Sequence, residues 1–171
     1  MDILDFIYSR RSIRKYKKEE IKDEIITELL KAAKAAPSAA GKDPWRYIVI
    51  KNKSTLKTIA EGLPNGNFIE NAPLGIIICG DINCAHANEL SYLLQDCAAA
   101  IENLLLAANI LQLGCCWIGV HPRKDRISFI QNLFNLPDNI IPVSCISVGY
   151  PDERKEPRTR FNKDYVHIEK W

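Results

Sequence analysis

The pattern of apolar and polar positions predicts a first long helix after residue 20. Apolar side chains recur there every four residues, the spacing of an amphipathic helix with one buried face: Ile21, Ile25, Leu29 and Ala33. Pro37 ends this helix, because proline has no amide hydrogen to donate and clashes with the preceding turn. A shorter amphipathic run, residues 2–8, precedes it.

Four further segments are rich in β-branched, aromatic or other apolar residues and predict strands: residues 45–51, 75–80, 115–120 and 141–148. Two shorter helices are predicted between them. One covers residues 55–61, with a Ser54 cap, and the other covers residues 126–135 and ends before Pro137. The order α-α-β-α-β-α-β-α-β is an α+β pattern, in which a three-layer α/β/α arrangement places the apolar strands in the centre.

The longest predicted element covers residues 91–113 and is apolar on nearly all sides. Its charged residues are Asp96 and Glu102, and Gly114 is predicted to cap its C-terminal end. A helix of this composition is buried. A membrane span, the alternative by length, would leave both carboxylates without partners in lipid. Because one small domain can hardly cover such a helix, we expect part of it to pack against a second copy of the chain.

Length and charge narrow the classes of function. The chain has the size of one domain, residues 1–171, and its last part, residues 151–171, is predicted to be an irregular arm. The 23 basic and 21 acidic side chains are close to balance, which argues against binding to nucleic acid. No apolar signal region follows Met1, so we expect a cytoplasmic protein with no membrane partner.

The six cysteines lie mostly in apolar stretches, and we interpret them as buried thiols that pack as small hydrophobic groups. Cys79, Cys84 and His86 could be drawn as metal ligands, but their spacing matches no standard zinc pattern. We therefore predict neither a metal site nor a catalytic cysteine.

The densest cluster of chemistry is the basic turn, residues 10–16. It contains Arg10, Arg11, Ser12 and Arg14. Because a planar guanidinium donates two parallel, charged hydrogen bonds, arginine is well suited to hold a phosphate. The basic turn therefore indicates a socket for a phosphorylated small molecule, and a solvated basic turn is the alternative.

Five motifs that follow one another along the whole chain resemble those of the FMN-dependent nitroreductase family. They are the basic turn, Ala36-Pro37-Ser38-Ala39 with Pro44-Trp45, Asp96-Cys97-Ala98-Ala99-Ala100, Leu113-Gly114-Cys115-Cys116-Trp117-Ile118-Gly119, and Gly149-Tyr150-Pro151 with Arg158 and Arg160. Each motif alone is weak, but five in this order are specific. The resemblance implies a mostly antiparallel central sheet wrapped by helices, in an intertwined homodimer with FMN at the subunit interface.

The resemblance also assigns residues to the two ends of FMN. The positions that hold the phosphate, the ribityl chain and the pyrimidine edge are Arg10, Arg11, Ser12 and Arg14. A basic pair in the arm closes on the phosphate: Arg158 and Arg160. The loop that meets the isoalloxazine ring from the other subunit is matched by Pro37, Ser38 and Ala39. The backbone beside flavin N5 is matched by Ile118 and Gly119.

The chain departs from the family pattern in the ring loop. Many members carry Asn at the position of Gly41 and Gln at the position of Asp43. An amide contact is therefore missing, and Lys42 is expected to substitute for part of it. The middle of the chain is short, which predicts a minimal lid and an open pocket.

The implied activity is that of an NAD(P)H-dependent flavin oxidoreductase. NADH or NADPH would reduce FMN, and an electron-poor small molecule such as a nitroaromatic or a quinone would then be reduced in a ping-pong cycle. No catalytic side chain is predicted, because the flavin carries the chemistry. Three alternatives stay open: a flavin-binding or redox-sensing protein without turnover, an anion or nucleotide binder without flavin, and a dedicated biosynthetic flavin reductase or dehydrogenase.

Overall fold

The computed structural model of the protein describes residues 4–171. The first residues of the run predicted over 2–8 lie outside the described part, and the rest of that run forms α1. The helices and strands follow the predicted order: α1 (Asp5–Ser9), α2 (Asp23–Lys34), β1 (Trp45–Ile50), α3 (Lys53–Gly62), β2 (Leu74–Asp81), α4 (Leu90–Ile110), β3 (Gly114–Gly119), α5 (Lys124–Phe134) and β4 (Ile140–Gly149). Short 3-10 segments, which the sequence pattern did not indicate, interrupt the connections: Ala39–Gly41, Pro64–Asn71, His86–Asn88 and Lys163–Tyr165.

The four strands form one antiparallel sheet in the order β1-β2-β4-β3. The central strands β2 and β4 are buried along almost their whole length. Because successive strand residues point to opposite faces, Ile76 lies in a core with α2 and α4, whereas Ile77 lies in a second core with α3 and α5. The predicted α+β fold, with a central antiparallel sheet between helical layers, is confirmed.

Helix α4 is the core helix of the first layer. By length and composition it could cross a membrane, but its apolar side chains are buried against the sheet and α2: Leu93, Cys97, Ala100, Ile101, Leu104, Leu105 and Ala108. The chain therefore covers most of this helix by itself. The expectation that a single chain cannot do so was wrong, because the exposed stripe of α4 is largely polar and carries Gln95 and Glu102.

Two helix ends differ from the predicted ones. Helix α3 is capped by Asn52, whose side chain accepts hydrogen bonds from the amides of Ser54 and Thr55, so Ser54 is not the cap. After α4, the left-handed residue is Gln112, with φ of 60°. Gly114 instead opens β3, where a Cβ atom would lie 2.7 Å from the Cβ of Ile13. Its missing side chain lets the basic turn approach the sheet.

The cysteines are free thiols, and all except the half-buried Cys84 are buried. Burial raises the pKa of Cys79, Cys97 and Cys115 to about 12. These thiols are thus unreactive packing groups, as the apolar surroundings in the sequence indicated. Within residues 4–171, no three His, Cys, Asp or Glu side chains converge as a potential metal site.

Candidate functional site

The basic turn is attached to the edge strand β3. Ser12 forms a parallel bridge with Cys115, and the Ile13 amide donates to the Cys115 carbonyl at 2.9 Å. Ile13 is itself buried and packs against Gly114. The first half of the turn is therefore held in one place by both backbone hydrogen bonds and apolar packing.

Tyr16 anchors the second half of the turn. Its hydroxyl lies 2.6 Å from Ser147 Oγ on β4 and donates to the Ile13 carbonyl, and its backbone forms a bridge with Pro151. The ring is buried, and this desolvation raises the pKa of Tyr16 well above its ordinary value. Tyr16 is therefore a neutral structural group that locks the turn onto the sheet.

Glu153 and Lys155 of the arm hold the middle of the turn. The Glu153 carboxylate accepts from the amides of Arg14 (2.6 Å) and Lys15 (3.3 Å), while Lys155 Nζ donates to the Ser12 carbonyl at 2.6 Å. Burial acts to raise the pKa of Glu153, but the hydrogen bonds from Arg14 and Lys155 outweigh it and hold that pKa below its ordinary value. The pair clamps the backbone of the turn and leaves its guanidiniums free to point elsewhere.

The guanidiniums meet in a cationic cavity of about 490 Å³. Its lining side chains are all polar or charged: Arg10, Arg11, Ser12, Arg14, Lys155, Arg158 and Arg160. Two backbone contacts bring the arm to it, because the Arg158 amide donates to the Tyr8 carbonyl at 3.1 Å and the Arg11 guanidinium donates to the Glu156 carbonyl. Six residues predicted from the sequence to hold the FMN phosphate end thus line one cavity.

The arginines of the cavity differ in their contacts. Arg10 Nε lies 3.3 Å from Glu102 on α4, and Arg14 lies over the Phe68 ring with its guanidinium 5.5 Å from the ring centroid. In the described part of the chain, the guanidiniums of Arg158 and Arg160 have no hydrogen-bond or ion-pair partner. The cavity is therefore strongly positive, and much of its hydrogen-bonding capacity is unused.

The predicted ring loop, residues 37–43, is held by two polar contacts. Ser38 Oγ donates to the Asp43 carboxylate at 2.5 Å, and the Ala39 amide donates to Asp96 Oδ1 at 2.8 Å. Asp96 is only 5% exposed, and its Oδ2 is buried without a partner within residues 4–171. Ala40 and Gly41 both have positive φ values, 52° and 64°, so this loop has a tight, specific shape.

Gly119 lies at the other end of β3 from the basic turn. From Cys115 to Gly119 the strand advances by about 13 Å, at about 3.3 Å per residue. A Cβ atom on Gly119 would meet nothing within 4 Å, and its carbonyl accepts from Arg126 Nη1 at 2.7 Å. The Ile118 side chain faces the core, so only backbone is available here on the outer side.

The sequence profile of the nitroreductase family matches residues 7–67 and 60–150. The chain belongs to the nitroreductase family. A relative from Methanothermobacter thermautotrophicus, provisionally named an NADH dehydrogenase/NAD(P)H nitroreductase, is 43% identical over 171 residues, which are 100% of this chain and 88% of the relative. The fold-class prediction and the resemblance inferred from the five motifs are both confirmed.

Solved structures of nitroreductase-like proteins agree in fold. A Clostridium acetobutylicum protein, provisionally named an NADH oxidase, has a TM-score of 0.93 at 39% identity and covers 98% of this chain and 100% of its own. A protein of Clostridium difficile described as an FMN-dependent nitroreductase has a TM-score of 0.91 at 31% identity, with coverage of 99% and 100%.

Within this nitroreductase-family chain, the predicted site residues fall into separate places. The cationic cavity does not include the ring loop with Pro37, Gly41 and Lys42, nor does it include Ile118 and Gly119. One described chain therefore brings together the predicted phosphate end, but not both ends of the predicted FMN site.

Sequence reasoning missed four residues that organise these places. Lys155 and Glu153 were passed over because the arm was treated as irregular, and charge alternation along it was the available signal. Asp96 stood in a quoted motif without a role, although a carboxylate in an apolar helix predicts a buried partner. Arg126 gave no local signal, since its contact with Gly119 depends on how α5 packs.

Proposed function

We propose that this nitroreductase-family protein is an FMN-dependent NAD(P)H oxidoreductase, which reduces electron-poor small molecules such as nitroaromatics or quinones in a ping-pong cycle. The observation that carries the proposal is the convergence of the predicted phosphate-end residues on one cationic cavity. The full-length relatives named for NAD(P)H and FMN chemistry support it. FMN, when bound, would supply hydride acceptance from NADH or NADPH and hydride delivery to the acceptor.

The chemistry of the cavity fits the phosphate of FMN. Arg10, Arg14, Arg158 and Arg160 can donate charged, bidentate hydrogen bonds, while Ser12 adds a hydroxyl. The turn that carries the first two is rigidly attached to β3 and β4, so little ordering is needed when the anion binds. Arg11 and Lys155 hold the arm and the turn together at the same edge.

The proposed ring end uses backbone and shape rather than titrating side chains. At Gly119 the absent side chain leaves open space for a flat ring to approach the strand. Arg126 fixes the Gly119 carbonyl, and the Asp96 carboxylate fixes the loop that carries Ser38 and Ala39. Holding the ring in place without an acid–base pair suits hydride transfer, in which the flavin carries the chemistry.

We further propose a homodimer in which the ring loop of one chain completes the site of the other. Two observations support it. The ring loop does not line the cavity of its own chain, and the arm exposes large apolar side chains that a partner would cover: Phe161, Tyr165, Ile168 and Trp171. The reduced thiols also fit the expected cytoplasmic location.

The visible absorbance spectrum of the purified protein is the first test. We expect a yellow protein, as isolated or after FMN is added, with about one FMN per chain and bleaching by NADH or NADPH that a quinone or nitroaromatic reverses. Riboflavin, which lacks the phosphate, is the matched control and should bind far more weakly. Riboflavin binding as tight as that of FMN would contradict the phosphate assignment, and flavin that never reoxidises with any acceptor would favour a binding protein without turnover.

A further inference from the structure

The cationic cavity carries more positive charge than one phosphate neutralises. Six of its lining side chains are cationic: Arg10, Arg11, Arg14, Lys155, Arg158 and Arg160. Carboxylates pair with two of them, Glu102 with Arg10 and Glu153 with Lys155. Four charges are left, and a phosphate monoester such as that of FMN contributes at most about two negative charges near neutral pH. A surplus of about two positive charges therefore remains when FMN is bound.

The surplus has free hydrogen-bond donors and space. Arg158 and Arg160 have no side-chain partner among residues 4–171, and the Arg14 guanidinium makes one long hydrogen bond, 3.5 Å, to the Ser12 carbonyl. A phosphate group occupies roughly 100 Å³, about three times the liquid volume of a water molecule. The cavity of about 490 Å³ can therefore take a second anionic group beside the first.

The chemistry of the surplus identifies that group among the reactants of the proposed function. NADH and NADPH share their pyrophosphate and differ by one phosphate monoester on the adenosine ribose, which carries about two negative charges. Its charge matches the surplus, and its three terminal oxygens suit the guanidinium fork. We propose that the cationic cavity binds the 2′-phosphate of NADPH beside the FMN phosphate, so that NADPH is the preferred donor. This inference rests on the proposed function.

Calorimetric titration of the FMN-loaded protein tests the inference without turnover. The probes are 2′,5′-ADP, which carries the NADPH phosphate, 5′-AMP, which lacks it, and inorganic phosphate. We expect 2′,5′-ADP to bind at least ten-fold more tightly than either control, and its affinity to fall steeply with added NaCl, since exposed charges are screened. The ratio of kcat/KM for NADPH over NADH should exceed ten as well.

Equal affinities for 2′,5′-ADP and 5′-AMP on an FMN-loaded protein would overturn this inference and leave the proposed function standing. Inorganic phosphate binding as tightly as 2′,5′-ADP would overturn it too, because the site would then be a general anion site. A protein that takes up no FMN would overturn the proposed function, and this inference with it.

Arg158→Gln, measured at saturating FMN, tests the residue that has most unused donors. It should lower the preference for 2′,5′-ADP over 5′-AMP about ten-fold. Lys57→Gln removes the same charge from an exposed position on α3 that does not line the cavity, and it should leave the preference unchanged. An equal loss for both nucleotides in Arg158→Gln would contradict the assignment to the 2′-phosphate.

Discussion

The basic turn and the arm, residues 151–171, bring arginines to the same cavity, but they do so in opposite ways. In the turn, Ile13 and Tyr16 are buried, and the backbone is bonded to β3 and to Glu153. In the arm, residues 156–171 are all exposed. Arg10 and Arg14 therefore project from a rigid base, whereas Arg158 and Arg160 project from a segment that one chain leaves uncovered.

The difference separates two tasks of the site. The turn is organised before any ligand binds, so its arginines can recognise an anion at low entropic cost. The arm carries apolar side chains that stay in water until something covers them, and ordering it costs conformational entropy. Phosphate recognition is thus built into the single chain, while closure of the site is proposed to depend on the second copy.

The largest expected effect distinguishes the two regions by chain stability. Ile13→Ala should lower the free energy of unfolding by about 2–5 kcal/mol, as for other large-to-small core substitutions, because Ile13 is 8% exposed. Ile168, at 84% exposed, is the matched control, and Ile168→Ala should change it by about 0.5 kcal/mol or less at low protein concentration. Urea unfolding measures both. Equal losses at low concentration would show that the arm packs within its own chain.

The next effect concerns FMN affinity. Replacing Arg10 or Arg160 by Ala should weaken FMN by roughly 1.5–3 kcal/mol, the range for hydrogen bonds to charged groups. Arg10→Ala should lie at the upper end, since Glu102 already holds that side chain at 3.3 Å, and Arg160→Ala at the lower end. Flavin fluorescence titration gives both values.

Arg10→Lys sharpens this result, because it keeps the charge without the planar fork and should recover only part of the loss. Unchanged FMN affinity in all of these variants would remove the phosphate from the cavity.

A charge on the arm tests closure by the second copy. Ile168→Asp should weaken the dimer by about 2 kcal/mol, roughly thirty-fold in its dissociation constant, because it places a carboxylate in an apolar contact. Light scattering and flavin absorbance, measured on the same fractions, should fall together. Val49→Asp, at an exposed apolar position on β1, is the control. A monomer that keeps all its FMN would show that one chain builds the whole site.

The smallest effect is the pH dependence of the clamp at Glu153. Its pKa is lowered by folding, so its stabilisation is fully present above the ordinary value of 4.5 and is lost as pH falls through the folded value. Glu153→Gln should cost about 1 kcal/mol at pH 7 and flatten the decline of stability in acid. Thermal unfolding between pH 3 and pH 7 follows it, and a decline as steep in the variant as in the parent chain would assign that acid sensitivity to other carboxylates.

Local pattern predicted most of the secondary structure. The four-residue repeat that begins at Ile21 lies on α2, and the apolar run over residues 75–80 lies within β2 (Leu74–Asp81). These assignments succeeded because the burial of one helix face, or of both strand faces, is written directly into the spacing of apolar residues. The cap at Asn52 was missed because Ser54, two residues on, has the same kind of side chain.

The amino-acid sequence by itself determined the order of elements, the α+β class and, through five motifs, the family and the residues of the predicted phosphate end. Only the tertiary structure decided which of them meet. Lys155 and Ser12 are 143 residues apart in the chain, and Asp96 and Ala39 are 57 apart. Such contacts leave no local periodicity, because they depend on how the arm crosses the sheet edge and how α4 packs beneath the ring loop.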